Sequence, residues 1–238
     1  MTLPAAARKI DAWHFCLDRA GTPVLYGHGK TDDPDALVVA PGYIYTTDEP
    51  VIKACESGLH ASRTVRDALQ YAQSGWLCRV RCWGEIDEQS DKLAARHREV
   101  ISVRNVEREL RLWACWCARN TPLGNGRTTW DLMTDPRSRA AVECAERHAN
   151  GQATDAELAA AWAAAWAAAW DAARDAAWDA ARDAAWAAAW AAARAAARDA
   201  ARDAARAAAW NAARDAAIEF QSAELERRMR ALLPKGVK

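Results

Sequence analysis

A thiol, an imidazole and a hydroxyl group lie within one short segment of the sequence. Cys55 and His60 are separated by Glu-Ser-Gly-Leu, and Ser62 follows two residues later. A cysteine beside a histidine can act as a nucleophile with its general base. The same segment also fits a plain turn, in which Gly58 has a positive φ and His60 begins a strand. The sequence favours the turn, because no local rule brings the thiol and the imidazole together.

Basic residues elsewhere in the N-terminal half could hold a ligand near this segment. Arg79 and Arg81 lie in a strongly alternating stretch, and a run of basic residues begins at Lys92 and ends at Arg98. Such cations bind phosphates and carboxylates, whereas a solvated face is the default interpretation of a basic run. The predicted ligand-binding residues are Cys55, His60, Ser62, Arg79, Arg81 and Lys92.

A second candidate surface lies in an Ala-rich repeat. Between Leu158 and Ile218 every fourth residue is Trp or Arg. Trp and Arg side chains often anchor protein partners, although Trp residues on a helix more commonly pack in a core. The predicted partner-binding residues are Trp162, Trp166, Trp170, Arg194 and Arg198.

The composition argues against several classes of protein. Lys and Arg number 32, as do Asp and Glu, so the basic excess typical of nucleic-acid and membrane-surface binders is missing. The longest uncharged stretch, Leu158–Trp170, is too short to span a bilayer. The N-terminus does not resemble a signal peptide, which predicts a cytoplasmic protein. The seven cysteines contain no Cys-x-x-Cys pair, so we expect free thiols with no metal and no cofactor.

Residues 1–103 are predicted to form a small β-rich α+β domain. The stretch Trp76–Trp83 alternates, with Trp76, Cys78, Val80 and Cys82 on one face and Gly84 as its end. A helix is expected from Arg63 to Ala72, with Ser62 or Thr64 near its N-cap. Further strands are predicted at Ile10–Leu17, Val24–Tyr26 and Tyr43–Tyr45, and Val100–Val103 is either a last strand or the lead into the helices.

Residues 104–238 are predicted to be all-helical. A helix from Val106 to Arg119 is amphipathic, and Asp135-Pro136 has the N-cap and N1 residues of another. Thr154 and Glu157 form a capping box that opens the repeat helix, 154–233. A period of four rotates its Trp/Arg column by about 40° per repeat, which disfavours a conventional coiled coil. We expect a helical hairpin with its joint between Trp190 and Arg206, and the alternative is one rod of ~120 Å.

The N-terminal half resembles a known but uncharacterised domain. The resemblance lies in Trp13, Cys55-Glu-Ser-Gly-Leu-His-Ala-Ser62, Asp67-Ala-Leu-Gln-Tyr-Ala72, Gly84-Glu-Ile86 and Asp91-Lys-Leu93. These segments are similar to a domain found in phage and bacterial proteins, and they cover residues 8–103. That family has no established reaction, so the resemblance implies no catalytic residue.

The helical half resembles a second family. Leu112-Trp-Ala-Cys-Trp-Cys-Ala118, Asp135-Pro-Arg-Ser-Arg-Ala-Ala-Val-Glu143 and Asn150-Gly-Gln-Ala-Thr154 are similar to an immunity-protein family of bacterial polymorphic toxin systems. The resemblance implies an all-helical protein that acts by binding.

Three functional hypotheses follow. The first is a non-enzymatic phage-type accessory, immunity or counter-defence protein that binds a bacterial protein or a small nucleotide-type signalling ligand. The second is an enzyme that acts on a nucleotide through Cys55 and His60. The third is a structural spacer that assembles into homo-oligomers through its Ala-rich helices.

Overall fold

The chain divides into two compact units. The structure is a computed structural model that describes residues 9–25, 38–123, 126–171, 174 and 196–233. Unit 1 comprises Met1–Leu110 and Ser222–Lys238, and unit 2 comprises Arg111–Gln221. The predicted α+β class is confirmed, with strands in the N-terminal half and helices after them. Unit 1 differs from the predicted N-terminal domain because it includes residues from the C-terminal end.

Unit 1 is built on an antiparallel sheet. The strands are β1 (Ile10–Phe15), β2 (Leu17–Arg19), β3 (Thr22–Val24), β4 (Ile44–Thr46), β5 (Leu59–Ala61), β6 (Trp76–Glu88) and β7 (Leu93–Asn105). The sheet order is β1-β6-β7-β4, with β5 also paired to β7, while β2 and β3 pair separately. The backbone amide of Trp13 in β1 donates to the carbonyl of Ser62 at 2.7 Å, and Ser62 returns the bond at 2.8 Å. The end of β5 therefore meets β1, so β1, β6, β7 and β5 form a closed ring of pairings.

The longest strands, β6 and β7, extend beyond their predicted ends. Gly84 does not end β6, because the pairing shifts register between Trp83 and Ile86 and then continues. Gly84 has φ +88°, and a Cβ at this position would lie 2.8 Å from Cδ2 of His97. The glycine is therefore the site of a β-bulge, which a single strand cannot reveal without its partner.

The predicted alternation in β6 separates two faces of the sheet. Cys78, Val80 and Cys82 are fully buried, and they face the core together with Val100 and Ala12. We call this the inner face. The intervening residues, including Arg79 and Arg81, project from the opposite side, which we call the outer face.

The C-terminal end of the last helix, α6 (Ala196–Leu232), packs on the outer face within unit 1. Leu225 and Met229 of this helix are completely buried, as is Leu233 directly after it. The carboxylate of Glu226 accepts hydrogen bonds from the Trp13 indole at 3.1 Å and from a backbone amide of α1 (Val65–Leu69) at 2.8 Å. This part of α6 therefore completes the hydrophobic core of the sheet unit.

The described residues of unit 2 form helices and the loops between them, in agreement with the helical region predicted from the sequence. Asp135 accepts a hydrogen bond from the amide of Arg137 at 2.7 Å, and Pro136 occupies the first turn. The capping box is also present, since the amide of Glu157 donates to the Thr154 hydroxyl at 3.2 Å. The helices are α2 (Glu107–Asn120, which begins in unit 1), α3 (Thr129–Leu132), α4 (Pro136–Ala149), α5 (described over 155–171) and α6 up to Gln221.

Only part of the predicted hairpin joint lies within the described residues. Residues 196–206 are helical and belong to α6, whereas 190–195 are outside the described part of the chain. The choice between a hairpin and a rod therefore stays a prediction. No helix within the described ranges combines the length and the apolar character needed to cross a membrane.

Candidate functional site

A cavity of about 880 Å³ opens on the inner face of the sheet in unit 1. Its volume lies within the usual range of small-molecule sites. Among the described residues that line it, Asp48 is the one acid, and it is exposed. The basic residues of the lining are His14 from β1, His60 from β5, Arg98 from β7, and Lys92.

Arg98 is the most informative residue of the lining. It faces inward because it pairs with Cys82 across the two long strands, and it is only 3% exposed. One terminal nitrogen donates to the His60 carbonyl at 2.6 Å, while the buried Nε has no partner. No described carboxylate pairs with this guanidinium. A buried charge without a counter-charge is costly in free energy, and a bound anion would remove that cost.

The imidazole of His14 offers a hydrogen-bond acceptor, whereas Arg98 offers a donor. One ring nitrogen bonds to the backbone of His60, while the buried Nε2 has no partner. Burial and then the charge of Arg98 hold the pKa of His14 well below 6.5, so the ring is neutral near neutral pH. Since the bonded nitrogen donates to the carbonyl of His60, Nε2 carries a free lone pair and can accept a hydrogen bond.

His60 connects the interior of the cavity to its mouth. Its Nε2 accepts a hydrogen bond from the backbone amide of Cys55 at 3.0 Å. Burial, and then Arg98 and Lys92, lower the pKa of His60 below 6.5. Because this nitrogen is already occupied, His60 has no lone pair available in this arrangement to take the proton of the Cys55 thiol.

The lowered pKa values of His14 and His60 predict how the stability of the protein depends on pH. Below pH 6.5 the unfolded chain takes up protons that native His14 and His60 resist, so the unfolding free energy falls as the pH falls. Between about pH 7.5 and 5 we expect a loss of up to about 2 kcal/mol from His14. Urea denaturation across this range measures it. His14→Gln should flatten the dependence, and an unchanged slope in that variant would contradict the assignment.

The mouth of the cavity carries Cys55, Lys92 and Tyr71. Cys55 is exposed and has φ +74°, an uncommon conformation for a residue other than glycine. The ammonium group of Lys92 donates to the Tyr71 hydroxyl at 3.1 Å and also bonds to the Cys55 side chain. These two bonds raise the pKa of Lys92, so it stays positively charged.

Comparison with known proteins identifies part of this region. Residues 39–111 match DUF7666, a domain of unknown function. The match confirms that the chain carries an uncharacterised domain. No curated protein matches the chain. No solved structure matches it.

The DUF7666 region holds most, but not all, of the cavity lining. It supplies His60, Lys92 and Arg98, whereas His14 precedes it in the chain. Strand β1 places His14 in the cavity through its pairing with β6, where His14 lies opposite Cys78. The candidate site is therefore assembled from the DUF7666 region together with the strand before it.

The structure brings four of the six predicted ligand-binding residues together. Cys55, His60, Ser62 and Lys92 all line the cavity. Arg79 and Arg81 do not, because they project from the outer face. Arg81 pairs there with Asp11 at 2.9 Å, and Arg79 donates to the Leu233 carbonyl at 3.2 Å.

Sequence reasoning did not single out His14 or Arg98 as site residues, although an anion contact was the alternative interpretation of the basic run that contains Arg98. Arg98 ended a basic run for which a solvated face was the default, whereas β7 turns it inward. Its spacing of two from Val100, a core residue, was the available signal. His14 has the same signal, since it lies two residues from Ala12 and two from Cys16, which are both core residues, but only the closed ring of strands brings it near His60.

The predicted partner-binding residues lie in the helical region. Trp162, Trp166 and Trp170 on α5 are 61%, 62% and 68% exposed. Arg194 is outside the described residues, as is the side chain of Arg198, whose backbone belongs to α6. Their predicted role therefore rests on the three tryptophans.

Proposed function

We propose that the sheet unit binds a small anionic ligand of the nucleotide type in the cavity, without acting on it chemically. The observation that carries the proposal is Arg98, a buried guanidinium with a free Nε–H and no described counter-charge. Charge-assisted hydrogen bonds from arginine to phosphate or carboxylate are among the strongest in proteins. An anion at Arg98 would satisfy a donor that the protein itself leaves unpaired.

The presence of Arg98 and His14 in the lining of one cavity supports the nucleotide class. The free Nε–H of Arg98 requires an acceptor, and the free Nε2 of His14 requires a donor. A nucleotide offers phosphate oxygens for the first and ribose hydroxyls for the second. The volume of about 880 Å³ accommodates a ligand of this size, and Gln70 and Gln73 add amide groups to the lining.

Catalysis by Cys55 and His60 is the less favoured alternative. A nucleophile and its base must lie within hydrogen-bond reach of each other. Here the bond between these residues joins the Cys55 backbone amide, rather than its thiol, to the imidazole. We therefore favour binding over a Cys–His dyad.

A second candidate function rests on the exposed tryptophans of α5. Aromatic side chains that are more than half exposed along one helix are typical of interaction surfaces. The occupant could be a bacterial protein, which suits the sequence resemblance to phage and immunity proteins and a cytoplasmic setting, or a second copy of the chain in a spacer assembly. A light-scattering mass equal to that of the monomer at high concentration would exclude the second copy.

A ligand screen tests the proposed function. Thermal unfolding is measured with nucleoside mono-, di- and triphosphates, cyclic dinucleotides, inorganic phosphate and the uncharged nucleosides. At a concentration about 100 times its Kd, a true ligand stabilises the native state by about 2.7 kcal/mol. We expect a nucleotide to stabilise the wild type, and the corresponding nucleoside to have a much smaller effect.

Variants of β7 provide the matched control. Arg98→Met should abolish the stabilisation by the nucleotide, whereas Arg104→Gln, at an exposed position of the same strand, should retain it. The proposal would be contradicted if nucleoside and nucleotide stabilised the wild type equally, or if the nucleotide stabilised Arg98→Met as much as the wild type.

A further inference from the structure

Cys55 differs from every other cysteine of the chain. All seven cysteines lie in the described ranges, and Cys55 alone is exposed. Cys117 is half-buried, and the other five are buried. Because access of a reagent to sulfur governs thiol chemistry, Cys55 is the position at which the native protein can react.

The thiol of Cys55 is held in place at the mouth of the cavity. The backbone amide of Cys55 is bonded to Nε2 of His60, and its Sγ lies 3.8 Å from the side-chain oxygen of Gln89. Lys92, which bonds to Tyr71, lines the same cavity and contacts the Cys55 side chain. A nucleophile and a cation therefore lie side by side at the entrance.

The interior of the same cavity shows an independent requirement for an anionic ligand. The whole of Arg98 is only 3% exposed, and its Nε is buried without a hydrogen-bond partner. A ligand whose negative group reaches Arg98 would pass Lys92 and Cys55 at the entrance. The entrance and the interior thus select the same charge.

We propose that Cys55 is an S-thiolation site that reacts with a small anionic disulfide bound in this cavity. The thiol loses its proton to solvent, and the resulting thiolate attacks one sulfur of the ligand. A new S–S bond forms to Cys55 while the ligand's own S–S bond breaks. The departing half leaves as a thiolate with the electron pair, so no further oxidant is needed.

The proposal goes beyond reversible binding and rests on the cavity being an anion site. Lys92 attracts the anionic ligand and holds it near the sulfur, which raises the rate of attack through local concentration. This contribution is screened by salt, because it acts between charges at a solvent-accessible entrance. Lys92 would not attract a neutral disulfide in this way, so the reaction rates of an anionic and a neutral disulfide provide a direct test.

Two aromatic disulfides make the comparison. Dithiobis-nitrobenzoate carries two carboxylates, whereas dithiodipyridine is neutral. We expect one thiol of the native protein to react fast with the anionic reagent, and peptide mapping of the wild type to locate it at Cys55. Lys92→Gln should slow the anionic reagent about tenfold and change the neutral one little. Lys53→Gln is the matched control, because Lys53 is close in sequence but pairs with Glu56 at 2.6 Å.

Each outcome decides a separate point. Mapping of the fast thiol to another cysteine, or equal slowing of both reagents by Lys92→Gln, would overturn the S-thiolation site. Protection of Cys55 by the nucleotide found in the ligand screen would support both proposals together. Fast, charge-selective labelling that no nucleotide slows would retain the S-thiolation site and contradict the nucleotide proposal.

Discussion

Arg98→Met is expected to raise the unfolding free energy of the ligand-free protein by about 1–4 kcal/mol, because replacing a buried charge by an apolar side chain of similar size is often stabilising. Arg98 is 3% exposed and has no described ion pair to offset its desolvation. The carbonyl of His60 would keep its bond to His14 when the guanidinium is removed. Urea denaturation of the ligand-free protein measures the difference.

This gain in stability should accompany the loss of binding expected in the ligand screen. Such opposition between stability and binding is typical of a residue retained for a ligand. Arg104→Gln should change the unfolding free energy by less than about 0.5 kcal/mol, because Arg104 is exposed. A large destabilisation by Arg98→Met would mean that Arg98 supports the fold, and would remove the main argument for an anion site.

Leu225→Ala is expected to destabilise the protein by about 2–5 kcal/mol, the usual cost of truncating a fully buried leucine. Leu225 is completely buried at the end of α6, where Glu226 also bonds to Trp13 on the outer face of the sheet. Chemical denaturation followed by circular dichroism measures this cost. The effect should be seen in the cooperative unfolding of the sheet, although Leu225 lies more than a hundred residues after the last strand, β7.

An exposed position on α6 provides the control for Leu225. Glu219→Ala, on the same helix, should change the unfolding free energy by less than about 0.5 kcal/mol. If Leu225→Ala lowered the unfolding free energy no more than Glu219→Ala, the result would contradict the packing of α6 on the sheet.

Local sequence signals predicted the features that depend on neighbouring residues. The N-cap at Asp135 and the box of Thr154 and Glu157 are examples, since each is defined within one helical turn. The faces of β6 were predicted because alternation is a property of a single strand. Gly84 was misinterpreted as a strand end because a bulge is defined by two strands.

The candidate site was predictable to the extent that it is local. Cys55, His60 and Ser62 lie within eight residues, and all three line the cavity. His14 and Arg98 are brought together only by the closed ring of strands, which no short window of sequence contains. Alternation placed Arg79 and Arg81 on one face, but which face is covered by α6 depends on contacts across the whole chain.

The division of unit 1 into two distant segments of the chain also affects the order in which its parts are synthesised. Its two segments, Met1–Leu110 and Ser222–Lys238, are separated in the chain by all of unit 2. At about 5–20 residues per second, a ribosome needs on the order of ten seconds to pass from the first segment to the second. For that time the nascent sheet lacks Leu225, Met229 and Leu233, so its outer face is exposed to chaperones and to other nascent chains.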